Sequence, residues 1–296
     1  MGRWVRFCYF TSVPKLSGGR LSLLAGAACI SFSPILTKLT GVPGLTSAFY
    51  RVFLAMLVLA PYIVYRKYYI ISPGKIGMAL LCCLFFAMDL ACWNRSLMIS
   101  NTAIATVLGN LAPVWTGILL LIFRNERPSR FYWIGVSIAL IGIVFMIGWS
   151  QTIHLDFSTG SLLALAASVF YACYIVITKF TRAGLGTMTF MFYSMVGYMV
   201  SAFLFTRVFD APLSGFSNHA WMMLILLALI PQLLGWLCVN HALGHLPSTE
   251  VSMVLLSQIV IASVLASLIF KENLSHTQLV GGLIVIIGIG VTYVRR

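Results

Sequence analysis

The stretch from Ile76 to Leu97, which reads IGMALLCCLFFAMDLACWNRSL, decides the fold class of this chain. A helix needs about 20 predominantly apolar residues to cross the hydrocarbon core of a bilayer, and this stretch supplies them. One carboxylate, Asp89, lies deep inside it. A charge at that depth is costly and usually faces a cavity or a partner. The stretch therefore predicts a transmembrane helix that carries a functional or an ion-paired acid.

The composition of the whole chain agrees with this interpretation. Of its 296 residues, 60% are hydrophobic and only 8% are charged, whereas a soluble domain usually carries about a quarter charged residues. So few charges cannot supply the polar surface of a soluble globule. The composition excludes a soluble enzyme, a disordered chain and a secreted disulfide scaffold, and it predicts an all-α polytopic membrane protein.

Ten apolar stretches of this kind follow one another along the chain and predict ten transmembrane helices. Their limits are Leu21–Leu39, Thr46–Tyr65, Ile76–Leu97, Thr102–Phe123, Phe131–Trp149, Ser161–Phe180, Thr187–Thr206, Ala220–Asn240, Thr249–Phe270 and Gln278–Val294. The connections between them are short and rich in glycine and proline, which favour turns. No connection is long enough to form a soluble domain.

The basic residues predict the topology. The chain has 19 Lys and Arg residues against 6 Asp and Glu residues, a formal net charge of +13. If both termini are cytoplasmic and each helix crosses once, only Lys38, Arg95, Arg207 and Lys271 fall on the outer side. An excess of basic residues in cytoplasmic segments is typical of membrane proteins. The charge therefore indicates a multi-pass protein with cytoplasmic termini rather than nucleic-acid binding, and the first residues fit a retained anchor better than a cleaved signal peptide.

The two halves of the chain, 1–150 and 151–296, resemble each other at a constant separation. The matched pairs are Asn94 with Asn240, Leu97 with Leu243, Glu126 with Glu272, Gly135 with Gly281, and Gly142 with Gly288. Each half holds five predicted helices. Because five is odd, the second copy must enter the membrane from the opposite side. Such inverted repeats place a binding site near the bilayer midplane and rock against each other to give alternating access. The glycine pairs predict close helix packing.

Several motifs resemble the EamA family of the drug/metabolite transporter (DMT) superfamily. They are DLACWNRSL at 89–97, LGNLAP at 108–113, ERP at 126–128, PQLLGW at 231–236, ALGHLP at 242–247, and Lys271-Glu272 ahead of Gly281. The resemblance covers nearly the whole chain and implies two inverted five-helix repeats around a central cavity. Family members move amino acids and other small metabolites, often outward, and relatives carry nucleotide sugars, S-adenosylmethionine, polyamines or vitamins. Two positions depart from the pattern: Ile259 stands where members often have proline, and Phe85 is the counterpart of Pro231.

Asp89 is the leading candidate for the substrate site. Its carboxylate suits an amine or another cationic group of a substrate, or a proton. The alternative is a structural ion pair with Arg51 or Arg95. Arg51 also suits a substrate carboxylate.

The eighth predicted helix places Gln232, Trp236 and Asn240 on one face, because they are four residues apart. This stripe suits a cavity that accepts amide, amine or carboxylate groups, although interhelical hydrogen bonds are an alternative role. Pro231 frees a backbone carbonyl nearby, which predicts that this face looks into the cavity rather than into lipid. Further candidates on other helices are Trp93, Asn94, Asn110, Tyr171, Tyr174 and Gln258.

The sequence predicts neither a metal site nor a cofactor. His241 and His245 are four residues apart, but no acidic or cysteine ligand completes a set around them. No glycine-rich phosphate-binding loop is present. The seven cysteines include no CxxC pair and suit apolar packing.

These observations predict a secondary transporter, not an enzyme, which exports a small polar metabolite such as an amino acid across the bacterial inner membrane. An uptake carrier or exchanger for a nucleotide-like or S-adenosylmethionine-like metabolite is the alternative within transport. An intramembrane enzyme and a structural membrane subunit are alternatives of other classes. The expected partners are a small-molecule substrate and the lipid bilayer, and both a monomer and a homodimer remain open.

Overall fold

The computed structural model describes residues 18–69, 73–100, 102–123, 127–148, 158–182, 184–271 and 273–294. Within them, nine helices are long and apolar enough to cross a membrane, and a shorter apolar helix follows. In chain order they are Gly18–Thr40 (α1), Gly44–Tyr65 (α2), Pro73–Ile99 (α3), Ala103–Phe123 (α4), Arg130–Ile147 (α5), Thr159–Arg182 (α6), Thr187–Val208 (α7), Asn218–His245 (α8), Ser248–Phe270 (α9) and His276–Val291 (α10). The predicted polytopic helical fold is confirmed. That ten helices cross the membrane stays a prediction, because α10 has only 16 residues.

Helices α4 and α9 are each interrupted near the middle. Helix α4 is interrupted at Asn110 and Leu111, just before Pro113, whose missing N–H removes one helical hydrogen bond. Helix α9 is interrupted at Leu256, and there the Ser257 hydroxyl donates to the Val254 carbonyl over 2.6 Å. A hydroxyl bond of this kind competes with the helical ladder. Leu256 matches Asn110 in the second half, so the two helices break at equivalent positions by different means.

Helix α8 widens into a π-helical segment at Ala228–Gly235, with Pro231 inside it. The proline has no N–H to donate to the preceding turn, and the wider π-helical turn accommodates its ring. Helix α3 carries Phe85 at the matching position and runs as an uninterrupted α-helix from Pro73 to Ile99. The departure seen in the sequence therefore has a structural consequence in one half only.

Helices α5 and α10 pack so closely that their backbones touch. A Cβ on Gly142 would lie 2.7 Å from the Gly281 carbonyl oxygen, and one on Gly288 would lie 2.7 Å from the Gly135 carbonyl oxygen. Glycines allow this approach because they have no side chain. The two glycine pairs thus serve in packing, as their spacing predicted.

The other helices pack in matching sets. Helix α3 lies against α6 and α7, and α8 lies against α1 and α2, while α2 packs on α7. The largest apolar core lies where these helices meet and combines side chains from both halves, among them Leu23, Val52, Phe86, Tyr174 and Phe190. The candidate site lies inside this core. The residues Glu126 and Glu272 and the predicted helix end at Trp149 fall outside the described residues.

Candidate functional site

A small cavity of about 20 Å³ lies within the core, between α3, α6, α7 and α8. Its walls include Phe86, Tyr174, Met191, Tyr198, Gln232, Trp236 and Asn240. This volume holds about one water molecule. The structure therefore brings the predicted stripe of α8 together with Tyr174 of α6 around one cavity.

The polar groups of the cavity are only partly satisfied. The Tyr174 hydroxyl donates to Asn240 Oδ1 over 2.9 Å, and the Asn240 amide nitrogen lies 2.9 Å from the Met191 sulfur. By contrast, Gln232 is 3% exposed and its Oε1 atom has no hydrogen-bond partner among the described residues. The buried Tyr198 hydroxyl has none either. Leaving such a group unpaired costs about 1–3 kcal/mol, so a polar ligand that paired with both groups would gain that energy.

Aromatic rings form the wall around these polar groups. The Trp236 ring meets Phe86 edge to face at 4.7 Å and Tyr174 at 5.6 Å. Tyr171 lies nearly parallel to Tyr174 at 6.3 Å. Such a wall offers ring faces to a flat or cationic group.

The π-helical segment of α8 and its contact with α1 aim the stripe inward. Gly235 ends the segment, and a Cβ there would lie 2.8 Å from Ile30 Cγ1, so α8 approaches α1 closely at this turn. Pro231 and Trp236 are both buried. Leu234, between them, is 49% exposed and faces outward. The face beside Pro231 is thus turned into the bundle, as the sequence predicted.

Asp89 and Arg51 do not form an ion pair with each other. Both side chains are partly buried, and both interact electrostatically with Tyr198. Asp89 also interacts with Tyr171. Arg51 Nη1 donates to Ser33 Oγ over 3.2 Å, and its buried Nε has no hydrogen-bond partner in the described chain.

The structural ion pair considered for Asp89 is not formed. Among the described residues, the ion pair found is between Arg20 and Glu250. Arg51 points its guanidinium at Ser33 instead, and Arg95 is exposed, away from the core. Asp89 and Arg51 are therefore not paired with each other, and neither side chain lines the central cavity.

The other sequence candidates lie outside the cavity lining, as do Asp89, Arg51 and Tyr171. Trp93 packs against Gly109 of α4. Asn94 donates to the Leu90 carbonyl and Asn110 to the Thr106 carbonyl, each over 2.7 Å and within its own helix. Gln258 is partly buried. Their predicted role in substrate binding stays a prediction. No cluster of three or more His, Cys, Asp or Glu side chains suited to a metal lies in the described part of the chain.

Sequence reasoning missed Tyr198, Met191, Phe86 and Arg182. The predicted sixth helix ends at Phe180 and leaves Arg182 in a cytoplasmic connection. In the structure, α6 continues to Arg182 and buries its side chain, which is 8% exposed. Its Nε donates to the Asn240 carbonyl over 3.0 Å, and its Nη2 donates to Thr187 Oγ1 over 2.5 Å. The spacing offered a clue, because Tyr174 and Arg182 are two helical turns apart and share a face.

A second, larger cavity of about 460 Å³ lies at the end of the bundle where α1 and α7 begin and α8 ends. Its walls include Ser22, Tyr68, Thr187, Thr189, Leu237 and His241. Asn240 lines the small cavity, and His241, the next residue of α8, lines the larger one.

Comparison with known families assigns the chain. The model of the EamA-like transporter family matches residues 17–148 and matches again over residues 158–294. The chain belongs to the EamA-like transporter family. The predicted resemblance is thereby confirmed, and the chain is a member of a family of membrane transporters rather than of enzymes.

Individual EamA relatives differ in what their names say they carry. The chain is 26% identical over 149 residues to the S-adenosylmethionine uptake transporter of Rickettsia prowazekii. This match spans about half of each protein, 50% of this chain and 50% of that one. It is 26% identical over 266 residues to the threonine/homoserine exporter RhtA of Salmonella typhimurium, across 87% of this chain and 83% of that one.

A solved crystal structure shares the fold. It superposes with a TM-score of 0.78 over 93% of this chain and 96% of its own, at 14% sequence identity. The similarity at this level of identity concerns the fold alone.

Proposed function

We propose that this EamA protein is a secondary transporter that exports a small polar metabolite with an amine and a carboxylate, such as an amino acid, across the bacterial inner membrane by alternating access. The observation that carries the proposal is the placement of Asp89 and Arg51. These two ionisable side chains lie on two helices, do not pair with each other, and both interact electrostatically with Tyr198, which lines the central cavity. A zwitterion offers one partner to each charge.

The other cavity residues complete the site. Gln232 and Tyr198 supply the unpaired oxygens for the polar groups of the substrate, and Asn240 is held in place by Tyr174. Trp236 covers the apolar part of the substrate. Trp93, Asn94, Asn110 and Gln258 contribute when the cavity enlarges.

The size of the cavity supports alternating access. At about 20 Å³ it admits a water molecule but not an amino acid. Substrate binding therefore requires the surrounding helices to separate. We expect the helices to separate toward the larger cavity, which lies at one end of the bundle. If the termini are cytoplasmic, this end of the bundle faces the cytoplasm.

Two inverted five-helix repeats, 1–150 and 151–296, with ten crossings, form the moving parts in this proposal. The double match of the family model supports the repeat. The packing supports it too, since the contacts of α3 with α6 and α7 correspond to those of α8 with α1 and α2. Because α5 packs on its own counterpart α10 through paired glycines, this helix pair suits the pivot.

The test is transport by the purified chain in proteoliposomes, with threonine, homoserine and S-adenosylmethionine as labelled probes. Asp89→Asn and Arg51→Gln should each abolish transport of an amino acid while the protein stays folded. Arg95→Gln, which removes an exposed arginine from the same helix as Asp89, is the matched control and should transport normally. Normal transport by both site variants would refute the proposed site.

An uptake carrier or exchanger for an S-adenosylmethionine-like metabolite is the second candidate. The aromatic wall of Phe86, Tyr174 and Trp236 favours it, because a sulfonium cation and a purine ring both bind well to aromatic faces. Exchange of labelled S-adenosylmethionine against the unlabelled compound, with no exchange of threonine, would favour this candidate over the first.

A further inference from the structure

The route between the two cavities runs between the first turns of α7 and the neighbouring part of α8. On α7, Thr187 lines the larger cavity, and Met191, one turn further on, lines the small one. On α8, His241 lines the larger cavity and Asn240 lines the small one. A solute that passes from one cavity to the other must therefore separate these two helix segments.

Arg182, the last residue of α6, joins the two segments. Its Nη2 donates to the hydroxyl of Thr187, the first residue of α7, over 2.5 Å, and its Nε donates to the Asn240 carbonyl of α8 over 3.0 Å. The guanidinium lies against Gly244, where a Cβ would come within 2.8 Å of Nη2. A planar guanidinium presents its donors in a fixed geometry and can bond two acceptors at once.

The side chain of Asn240 adds further connections at the same level of the bundle. Its amide nitrogen lies 2.9 Å from the Met191 sulfur on α7, and its Oδ1 accepts from the Tyr174 hydroxyl on α6. Arg182 thus bonds the backbone of the residue whose side chain forms part of the wall of the small cavity. Arg182 itself lines neither cavity, so it influences the passage through the walls that it holds.

The hydrogen bonds of Arg182 suit a contact that opens and closes. Both acceptors are neutral groups, so separating the helices breaks no buried ion pair, which would leave two charges unpaired. The side chain is 8% exposed, and its Nη1 has no hydrogen-bond partner among the described residues. An unpaired buried donor destabilises the closed arrangement. Water that enters an opened passage would pair with Nη1, and this lowers the free-energy cost of opening.

We propose that Arg182 is a latch that closes the passage between the two cavities by holding the first turn of α7 against α8. The inference rests on the proposed alternating access, in which the helices around the small cavity separate. Release of the latch connects the small cavity with the larger one. Arg182 is a positioning residue in this proposal, because it acts through Thr187 and Asn240.

Native cysteines report on the passage without any substrate. Cys83 lines the small cavity and is 2% exposed, and Cys238 lines the larger cavity. Cys82, the neighbour of Cys83 on α3, is also buried but lines neither cavity. Three chains that each retain one of these cysteines are treated with a small, membrane-impermeant thiol reagent in right-side-out and inside-out vesicles. The Cys238 chain shows which vesicles present the larger cavity to the reagent.

Releasing the latch should expose Cys83 to the reagent from the side of the larger cavity. Arg182→Met deletes both hydrogen bonds, and Cys83 should react about tenfold faster or more, the usual effect of losing one hydrogen bond to a charged group. Thr187→Val keeps Arg182 and removes one acceptor, so a smaller rise is expected. Thr189→Val is the matched control, since Thr189 lines the same cavity but Arg182 bonds Thr187. It should leave the rate unchanged.

An unchanged rate at Cys83 in both Arg182→Met and Thr187→Val would overturn the proposal. An equal acceleration at Cys82 would overturn it too, because it would indicate general loosening of the bundle, and so would acceleration from both sides of the membrane. If Arg182→Met does not fold, as judged by thermal unfolding, the comparison of Thr187→Val with Thr189→Val decides.

The labelling test and the transport test fail independently, because labelling uses no substrate. Loss of the proposed substrate site in the test at Asp89 would leave the rates at Cys83 interpretable. Conversely, an unchanged rate at Cys83 would remove the latch and leave the transport test unaffected.

Discussion

Arg20 and Glu250 form an ion pair that joins the first helix of the chain to the ninth: Arg20 Nε donates to Glu250 Oε1 over 2.8 Å. The Glu250 side chain is almost completely buried, whereas that of Arg20 is about one-fifth exposed. The pair is a contact between the two halves of the molecule, at the end where α1 begins.

Removing Arg20 should therefore destabilise the protein strongly. Arg20→Met removes this partner of the buried Glu250 carboxylate, and losing one hydrogen bond between charged groups costs about 1.5–3 kcal/mol. The midpoint of thermal unfolding in detergent should fall. The double variant Arg20→Met/Glu250→Met removes both charges and should recover much of the loss. If the two single losses simply added in the double variant, the two charges would not be coupled.

The glycine contact between α5 and α10 should tolerate no side chain. Gly142→Ala would place its Cβ 2.7 Å from the Gly281 carbonyl oxygen and should destabilise the protein by about 1–3 kcal/mol through overpacking. Gly290→Ala is the control on α10, since a Cβ there meets nothing within 4 Å. Equal thermal stability in the two variants would contradict the close backbone packing.

Two tyrosines of the central cavity should respond differently to loss of the hydroxyl. Tyr198→Phe removes a buried group that has no partner in the described chain, so stability should stay the same or rise while transport falls. Tyr174→Phe removes the hydrogen bond to Asn240 and should cost about 1 kcal/mol of stability. Unchanged transport in Tyr198→Phe would remove that hydroxyl from the proposed site.

Cysteine labelling should distinguish the faces of α8. In a background without native cysteines, Gln232→Cys and Trp236→Cys should react with a small water-soluble thiol reagent when the cavity opens, and a transported substrate should protect both. Leu227→Cys, which is fully buried, and Leu234→Cys, which faces outward, should react slowly. Equal labelling of all four positions, with no protection, would show that the stripe does not line the substrate path.

The distribution of basic residues predicts the orientation of the chain. A reporter fused after Arg296 should lie in the cytoplasm, and one inserted between Thr152 and Ser158 should lie outside. Activity of a periplasm-specific and a cytoplasm-specific reporter at each site measures this directly. Reporters on the same side of the membrane would be incompatible with an inverted five-helix repeat.

The sequence by itself determined the fold class, the limits of most helices and the paired glycines. These properties depend on local composition and spacing: an apolar run of spanning length must form a helix in lipid, because its backbone groups find no other partners there. The stripe of Gln232, Trp236 and Asn240 was also predictable, since residues four apart share a helix face whatever surrounds it.

Only the tertiary structure decided which side chains from different helices meet. Tyr198 and Met191 look like ordinary packing residues in the sequence, yet they complete the cavity with α8. Arg51 proved to bond Ser33 rather than Asp89, and Arg182 proved to be buried between three helices rather than free in a loop. Periodicity fixes the direction of a side chain around its own helix axis. The neighbour it meets depends on the rotation and crossing of the other helices, which is set by packing over the whole bundle.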